Sequence, residues 1–265
     1  MKLGIIGCGN MGGAIARGLL SKKFLPFNSI YASDKEAGRT KELHRKFGIR
    51  VVTGEEIAKK CDIIIIAVKP QDSRKVLSLV SAGLDGTEHL ISIMAGITVA
   101  KIESVIGKKV AVTRAMPNMA ASVGKSITCL AHNKHVKNKS VAHKIFSSIG
   151  DVLEIDEKHM NAVTAVSGSG PAYFFYLSEI LRDAAIKLGI KKEQAIKLAN
   201  STLIGSGALL DELNLAPEVL RGYITSKRGT TEAALRILKS KAFRNLTVNA
   251  VKAAAKRAKK LSEGA

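Results

Sequence analysis

Six residues near the start of the chain, Gly7-Cys8-Gly9-Asn10-Met11-Gly12, carry three glycines at the spacing with which a protein wraps a dinucleotide diphosphate. Gly7 permits a tight turn, Gly9 leaves the main chain open to the diphosphate, and Gly12 lets a following helix sit close to the preceding strand. The phosphates would then meet the N–H groups and the positive dipole end of that helix. Asp34 stands where an acid would accept from a ribose 2′-hydroxyl, which favours NAD. Ser33, Lys35 and Arg39 around it can instead hold a 2′-phosphate, which favours NADP. Either cofactor suits this pattern.

Other segments join glycine, proline and hydroxyl residues at the ends of predicted elements. They are Ala67-Val68-Lys69-Pro70, Ser92-Ile93-Met94-Ala95-Gly96, Arg114-Ala115-Met116-Pro117-Asn118 and Ser167-Gly168-Ser169-Gly170-Pro171-Ala172-Tyr173. The first three fall at the carboxyl ends of strands, where open α/β sheets take their ligands. Thr225-Ser226-Lys227-Arg228-Gly229-Thr230-Thr231-Glu232 sets hydroxyls and N–H groups at a helix start, a seat for a carboxylate. The plain alternative there is N-capping by Thr230 or Thr231.

The elements that must position these residues can be read from periodicity. Apolar Lys2–Gly7 reads as a strand, and Ala14, Ile15, Leu19 and Leu20 recur with helical spacing after the glycines. Ser29–Ala32 and Arg50–Val52 read as strands, and Lys35–Phe47 and Glu55–Lys60 as helices. Ile63–Val68 is a continuous β-branched run of the kind buried on both faces of a parallel sheet. Pro70 stops it, a helix follows through Val76, Leu77 and Val80, and His89–Met94 and Val110–Arg114 are further strands. This alternation predicts an α/β fold with a doubly wound, Rossmann-type sheet over residues 1–155. Residues 156–265 read as all-helical: Met160–Val166, Ala172–Leu188, Lys192–Leu213, Pro217–Tyr223 and Thr231 to the end. Tyr173, Phe174, Tyr176, Leu177, Ile180 and Leu181 form a wide apolar face that a second subunit would cover.

Composition closes several other doors. The formal net charge is +20, but the excess is spread over both regions, aromatic residues make up 4% and Trp is absent, so bases find few stacking platforms. Nucleic acid is therefore not the expected partner, and Lys252, Lys256, Arg257, Lys259 and Lys260 read as a solvated helix face. The longest apolar run is far short of the ~20 residues of a membrane helix. No secretory leader is visible, so the expected compartment is the cytoplasm. Cys8, Cys61 and Cys129 are widely spaced and form no disulfide or zinc pattern. Cys8 could be a reactive thiol at a helix start, but inside a glycine turn a packing role is expected. His132, His135 and His143 sit among Asn133, Lys134, Lys137 and Lys139, which predicts a polar surface segment, and no metal site is expected.

Taken in order, the GCGNMG turn, AVKP, the Ala95-Gly96 pair, RAMPN, SGSGPAY and the TS..GTT segment resemble the pyrroline-5-carboxylate reductase family along nearly the whole chain. The resemblance implies a Rossmann domain joined to a helical dimerisation domain that interleaves with a partner, as a homodimer or a higher oligomer. It implies reduction of a cyclic imine acid to L-proline by NADPH or NADH. On the matching positions, Gly7, Cys8, Gly9, Asn10, Met11, Gly12, Ser33, Asp34, Lys35, Ala67, Val68, Lys69, Pro70, Ala95 and Gly96 would hold the cofactor. Ser226, Gly229, Thr230 and Thr231 would hold the substrate, the Thr231 hydroxyl lying near the ring nitrogen and acting in catalysis. Glu157 matches a family acid that contacts substrate or product, where its carboxylate favours a positive ring. Departures stand at Met119-Ala120, where the family usually reads Thr-Pro, at Lys227-Arg228, where it reads Pro-Gly, and at Gly54, where many members carry Asn.

Three rival readings remain. A β-hydroxyacid dehydrogenase joins similar domains but needs a Lys soon after its Gly-rich helix start, and none stands between Gly168 and Lys187. A reductase of a related cyclic imine would share every motif. A dinucleotide-binding protein without turnover would be betrayed by the altered residues 227–228.

Overall fold

The computed structural model describes residues 1–263; residues 264–265, the end of the expected helical region, lie outside the described part. Eight strands form one sheet: β1 (Leu3–Ile6), β2 (Ile30–Ser33), β3 (Arg50–Val51), β4 (Ile63–Ile66), β5 (His89–Ser92), β6 (Ala111–Met116), β7 (Ser126–His132) and β8 (Gly150–Glu154). Their order is β3-β2-β1-β4-β5-β6-β7-β8. Neighbours run parallel except β6 and β7, which are antiparallel. The order reverses between β1 and β4, and a crevice opens at that point beyond their carboxyl ends.

Helices cover both faces: α1 (Asn10–Ser21), α2 (Ala37–Phe47), α3 (Gly54–Lys60), α4 (Ser73–Gly83), α5 (Val99–Ile106) and α6 (Ser140–Ser147). The four isoleucines of β4 show why so apolar a strand is needed. Ile63 and Ile65 enter the core under α1 and α6, while Ile64 and Ile66 enter the core under α3, α4 and α5. Side chains alternate along a strand, so a strand covered on both faces must be apolar at every position. Each such residue contributes about 1.5–3 kcal/mol of burial. Local chemistry starts the helices. Thr53 and Glu56 cap α3 reciprocally, the Thr53 hydroxyl accepting the Glu56 N–H at 3.2 Å and the Glu56 carboxylate accepting the Thr53 N–H at 3.1 Å. Thr98 caps α5 through the Lys101 N–H.

Two strands, β7 and β8, and two helices, α5 and α6, escape periodicity. β7 reads SITCLAH, with hydroxyls inside it, and β8 reads GDVLE and lies at the sheet edge with most of its residues exposed or half-exposed. Neither has the apolar run or clean alternation that marks a strand; the sheet supplies the pairing. After β8 the chain still packs on the sheet. Met160 and Val163 of the short α7 (Met160–Val163) join Cys129 and Ala131 in a third small core, and residues 164–168 form one π-helical turn. The compact unit accordingly runs to Ser169 and takes in the chain from Ala254 onward.

The second unit, Gly170–Ala253, contains α8 (Gly170–Lys187), α9 (Lys192–Leu213), α10 (Pro217–Tyr223), α11 (Thr230–Leu238) and the first half of α12 (Lys241–Glu263). The helix expected from Thr231 to the end is two helices. They part at Ser240, whose hydroxyl accepts the Phe243 N–H and so starts a new one. α8 and α9 are tied by a hydrogen bond from the Ser178 hydroxyl to Asn200 at 2.8 Å. Only Gly170, Ser178, Ala195 and Ala199 are buried in this unit, while Tyr176 and Ile204 are 64% and 72% exposed. A unit with so little interior and so much apolar surface is stabilised by association.

Candidate active site

The glycine turn has the geometry a diphosphate needs. Gly7 has φ +98°, and its N–H donates to the Ser33 carbonyl at 2.8 Å, which binds the loop to the end of β2. A side chain on Gly7 would strike the Ala67 carbonyl, and one on Gly12 would overlap the Gly7 carbonyl oxygen. Both positions are closed. Gly9, the N-cap of α1, is open: the nearest atom to a Cβ there is a guanidinium nitrogen of Arg39 at 3.5 Å. A main chain that lacks a side chain on its open face, at the start of a twelve-residue helix, fits a phosphate group.

This loop borders a cleft of about 710 Å³. Among the expected cofactor residues, Gly7, Gly9, Asn10, Met11, Ser33, Asp34, Lys35, Ala67, Val68, Lys69, Pro70 and Ala95 line it. Cys8, Gly12 and Gly96 do not; they pack behind it. Cys8 is buried, and desolvation first, then the charge of Asp34, push its thiol up to about 12, so it stays protonated and unreactive. The cleft also takes Glu36, Arg39, Gly54, Asp72, Lys75, Val76, Leu79, Ile93, Met116 and Pro117. Met116 and Pro117 belong to the RAMPN segment, which marked them. Lys75, Val76 and Leu79 carry no such signal, since an α4 residue facing a ligand looks like one facing a core.

Asp34 is less exposed than its position in sequence suggests. Its side chain is 4% exposed, and each oxygen already accepts a main-chain N–H, Oδ2 from Cys8 at 2.6 Å and Oδ1 from Glu36 at 2.8 Å. It therefore holds the glycine turn in shape. Arg39 lies 3.7 Å from it and 2.9 Å from Glu36, with its side chain 43% exposed at the mouth of the cleft. Lys35 pairs with Asp72 at 3.0 Å.

In the helical unit, Ser226, Gly229, Thr230 and Thr231 come together at the start of α11, with Gly229 as its N-cap. Among the described residues the Ser226, Thr230 and Thr231 hydroxyls have no hydrogen-bond partner, and no side chain caps the helix, so simple N-capping is not their role. Arg228 adopts φ +59°, where the family places glycine, and Glu232 accepts its N–H at 2.7 Å. The loop thus keeps its left-handed step without glycine.

Glu157 belongs to the sheet unit. Its Oε1 accepts the Val99 N–H at 2.7 Å and lies 3.1 Å from the buried Arg114 guanidinium. Another correction concerns His132, which is not on a polar surface. Its side chain is 5% exposed, with Nδ1 2.8 Å from the Thr113 hydroxyl, which in turn lies 2.6 Å from His89 Nε2. Asn118 of RAMPN serves the turn after β6, accepting the Ala120 N–H and donating to Ser167. Among the described residues no cluster suits a metal ion, and no helix is long and apolar enough to cross a membrane.

Residues 157–261 match the family model for pyrroline-5-carboxylate reductase dimerisation, and residues 2–96 match that for NADP oxidoreductase, coenzyme F420-dependent. The pyrroline-5-carboxylate reductase of Arabidopsis thaliana is 35% identical over 99% of this chain and 96% of its own. That of Escherichia coli is also 35% identical, over 99% and 98%. The structure of the Coxiella burnetii enzyme superposes with a TM-score of 0.94 at 34% identity, covering 98% of both chains. The Plasmodium falciparum enzyme, crystallised with NADP bound, superposes with a TM-score of 0.85 at 31% identity over 99% and 98%. With both halves matched and relatives aligned end to end, this chain belongs to the pyrroline-5-carboxylate reductase family.

Proposed function

We propose that the chain reduces 1-pyrroline-5-carboxylate to L-proline with NADPH or NADH. The observation that carries this reading is the cleft at the β1/β4 switch point, with closed Gly7 and Gly12 flanking open Gly9, in a chain that matches its family end to end. When bound, the nicotinamide supplies the hydride that the imine carbon receives. The N–H groups at the start of α1 hold the diphosphate, and Arg39 meets a 2′-phosphate, which favours NADPH. Ile93, Ala95, Met116 and Pro117 line the far end with mostly apolar atoms and keep water from the reacting carbon.

A protonated imine is already electrophilic, so the protein's task is alignment more than proton transfer. Ser226 and the N–H groups of Gly229–Thr231 hold the substrate carboxylate, with Lys227 and Arg228 adding positive charge nearby. The Thr231 hydroxyl hydrogen-bonds the ring nitrogen. Because Oε1 of Glu157 is committed to Arg114 and Val99, we assign that residue to positioning in place of substrate contact. Residues 1–155 serve the cofactor and residues 156–265 the substrate and the interface. The working form is a homodimer with interleaved helical regions, in the cytoplasm. Steady-state oxidation of NADPH and of NADH with pyrroline-5-carboxylate, beside other cyclic imine acids, tests the reading. Turnover of a six-membered imine but not of pyrroline-5-carboxylate would overturn it.

A further inference from the structure

Residues 94–97 make a tight turn at the end of the cleft away from Asp34 and Arg39. The Ile97 N–H donates to the Met94 carbonyl at 3.3 Å, and Gly96, third in the turn, has φ +79°, as a type II turn requires. Met94 and Ile97 are buried and anchor the base of the turn, while Ala95 faces the cleft. The tip of the turn has a second neighbour. A Cβ on Gly96 would stand 3.3 Å from the Leu261 carbonyl carbon and from the Ser262 nitrogen, and 3.4 Å from the Leu261 oxygen. The carboxyl end of α12 thus lies with its main chain against Gly96.

The sequence of α12 explains so close an approach. Ala254, Ala255, Ala258 and Ser262 recur at helical spacing and are its shielded positions there, while Lys256, Arg257, Lys259 and Lys260 are exposed. Small side chains on the inner face let the helix backbone come near; the lysines keep the outer face in water. We propose that the last turn of α12 braces the Ala95–Gly96 turn and so positions the nicotinamide end of the cleft for hydride transfer. Residues 261–262 touch neither cofactor nor substrate; they act through the turn. This rests on the cleft being the dinucleotide seat.

The test compares the full chain with one ending at Lys260. Adenosine and diphosphate contacts are untouched, so the Kd of NADPH, read by nicotinamide fluorescence, should stay within about threefold. A displacement of about 1 Å at the reacting end costs roughly a hundredfold in rate; kcat should fall at least about tenfold. The deuterium isotope effect on kcat should rise as hydride transfer becomes limiting. Without cofactor, the amides of residues 94–97 should exchange faster. Unchanged kcat with unchanged exchange at 94–97 would overturn the proposal. Should the shortened chain fail to fold, Gly96→Asn in the full chain replaces it. Asparagine tolerates positive φ, so the cost reports the meeting with Leu261. The expected result is again lower kcat at similar Kd, and wild-type kcat would overturn the brace. If the unaltered chain binds no NADPH, the proposed function fails, while amide exchange still decides the brace.

Discussion

Arg114 and Glu157 are joined by an ion pair of 3.1 Å in which the guanidinium side is 5% exposed and the carboxylate also accepts the first N–H of α5, that of Val99. The pair ties β6 to α5 and to the chain that leaves the sheet after β8. The Glu157 side chain is 32% exposed, so removing it strands the buried guanidinium at a cost below the ~3–5 kcal/mol of a fully buried pair. Glu157→Ala should therefore lower the urea midpoint, and Glu157→Gln, which can still accept the Val99 N–H, should lower it less. A Glu157→Gln chain with wild-type stability and a greatly raised KM for the imine would return this residue to the substrate.

Thr231 is expected to behave in the opposite way. Its hydroxyl has no partner among the described residues, so Thr231→Ala should leave the stability within about 0.5 kcal/mol of wild type. Loss of one hydrogen bond aimed at the reacting group lowers turnover by roughly a hundredfold or more. Thermal melting and steady-state kinetics with pyrroline-5-carboxylate check the two halves of this expectation separately.

Asp34 and Arg39 should divide the cofactor's recognition. Asp34 accepts the Cys8 and Glu36 N–H groups, so Asp34→Ala loosens the glycine turn and weakens NADPH and NADH together. Arg39→Ala removes a charge-assisted contact worth about 1.5–3 kcal/mol, and so should weaken NADPH by about tenfold or more while NADH changes little. Calorimetric titration with each dinucleotide distinguishes the two effects. Equal losses in Arg39→Ala would remove it from the 2′-phosphate.

Stability should depend on pH through His89. Burial, and then the nearby His132, lower its pKa to about 4. His132 is also lowered by burial, although Glu154 opposes this. The Thr113 hydroxyl, with a single proton, lies between the two rings; once both are protonated it has no acceptor there. The unfolded chain binds a proton at His89 near pH 6.5 and the folded chain only near 4, so this contribution is intact above 6.5 and lost as pH falls towards 4. The loss amounts to about 3 kcal/mol, from 1.36 kcal/mol per pKa unit. Urea midpoints at pH 7 and 4.5 measure it, and His89→Asn should flatten the dependence.

Local order in the chain was enough for the Rossmann-type sheet from β1 to β6, because strands covered on both faces must be apolar throughout and glycine has a steric reason at Gly7 and Gly12. The threonines of α11 stand out by the composition of their segment, and the fold sets them at a helix start where no side chain caps. β7 and β8 were not legible, since pairing with a sheet already built holds them, and their own residues are mixed. His132 looked solvated among lysines, yet Thr113, nineteen positions back in sequence, makes it a buried partner. Asp34 reads in sequence as a ribose acceptor, and only the folded loop reveals the two N–H groups that its carboxylate also accepts; Glu157 reads as a substrate contact, and only the fold reveals Arg114 meeting it across 43 residues. Spacing along a chain reports which groups can do chemistry. Which of them are already engaged depends on contacts between distant segments, and only folding creates those.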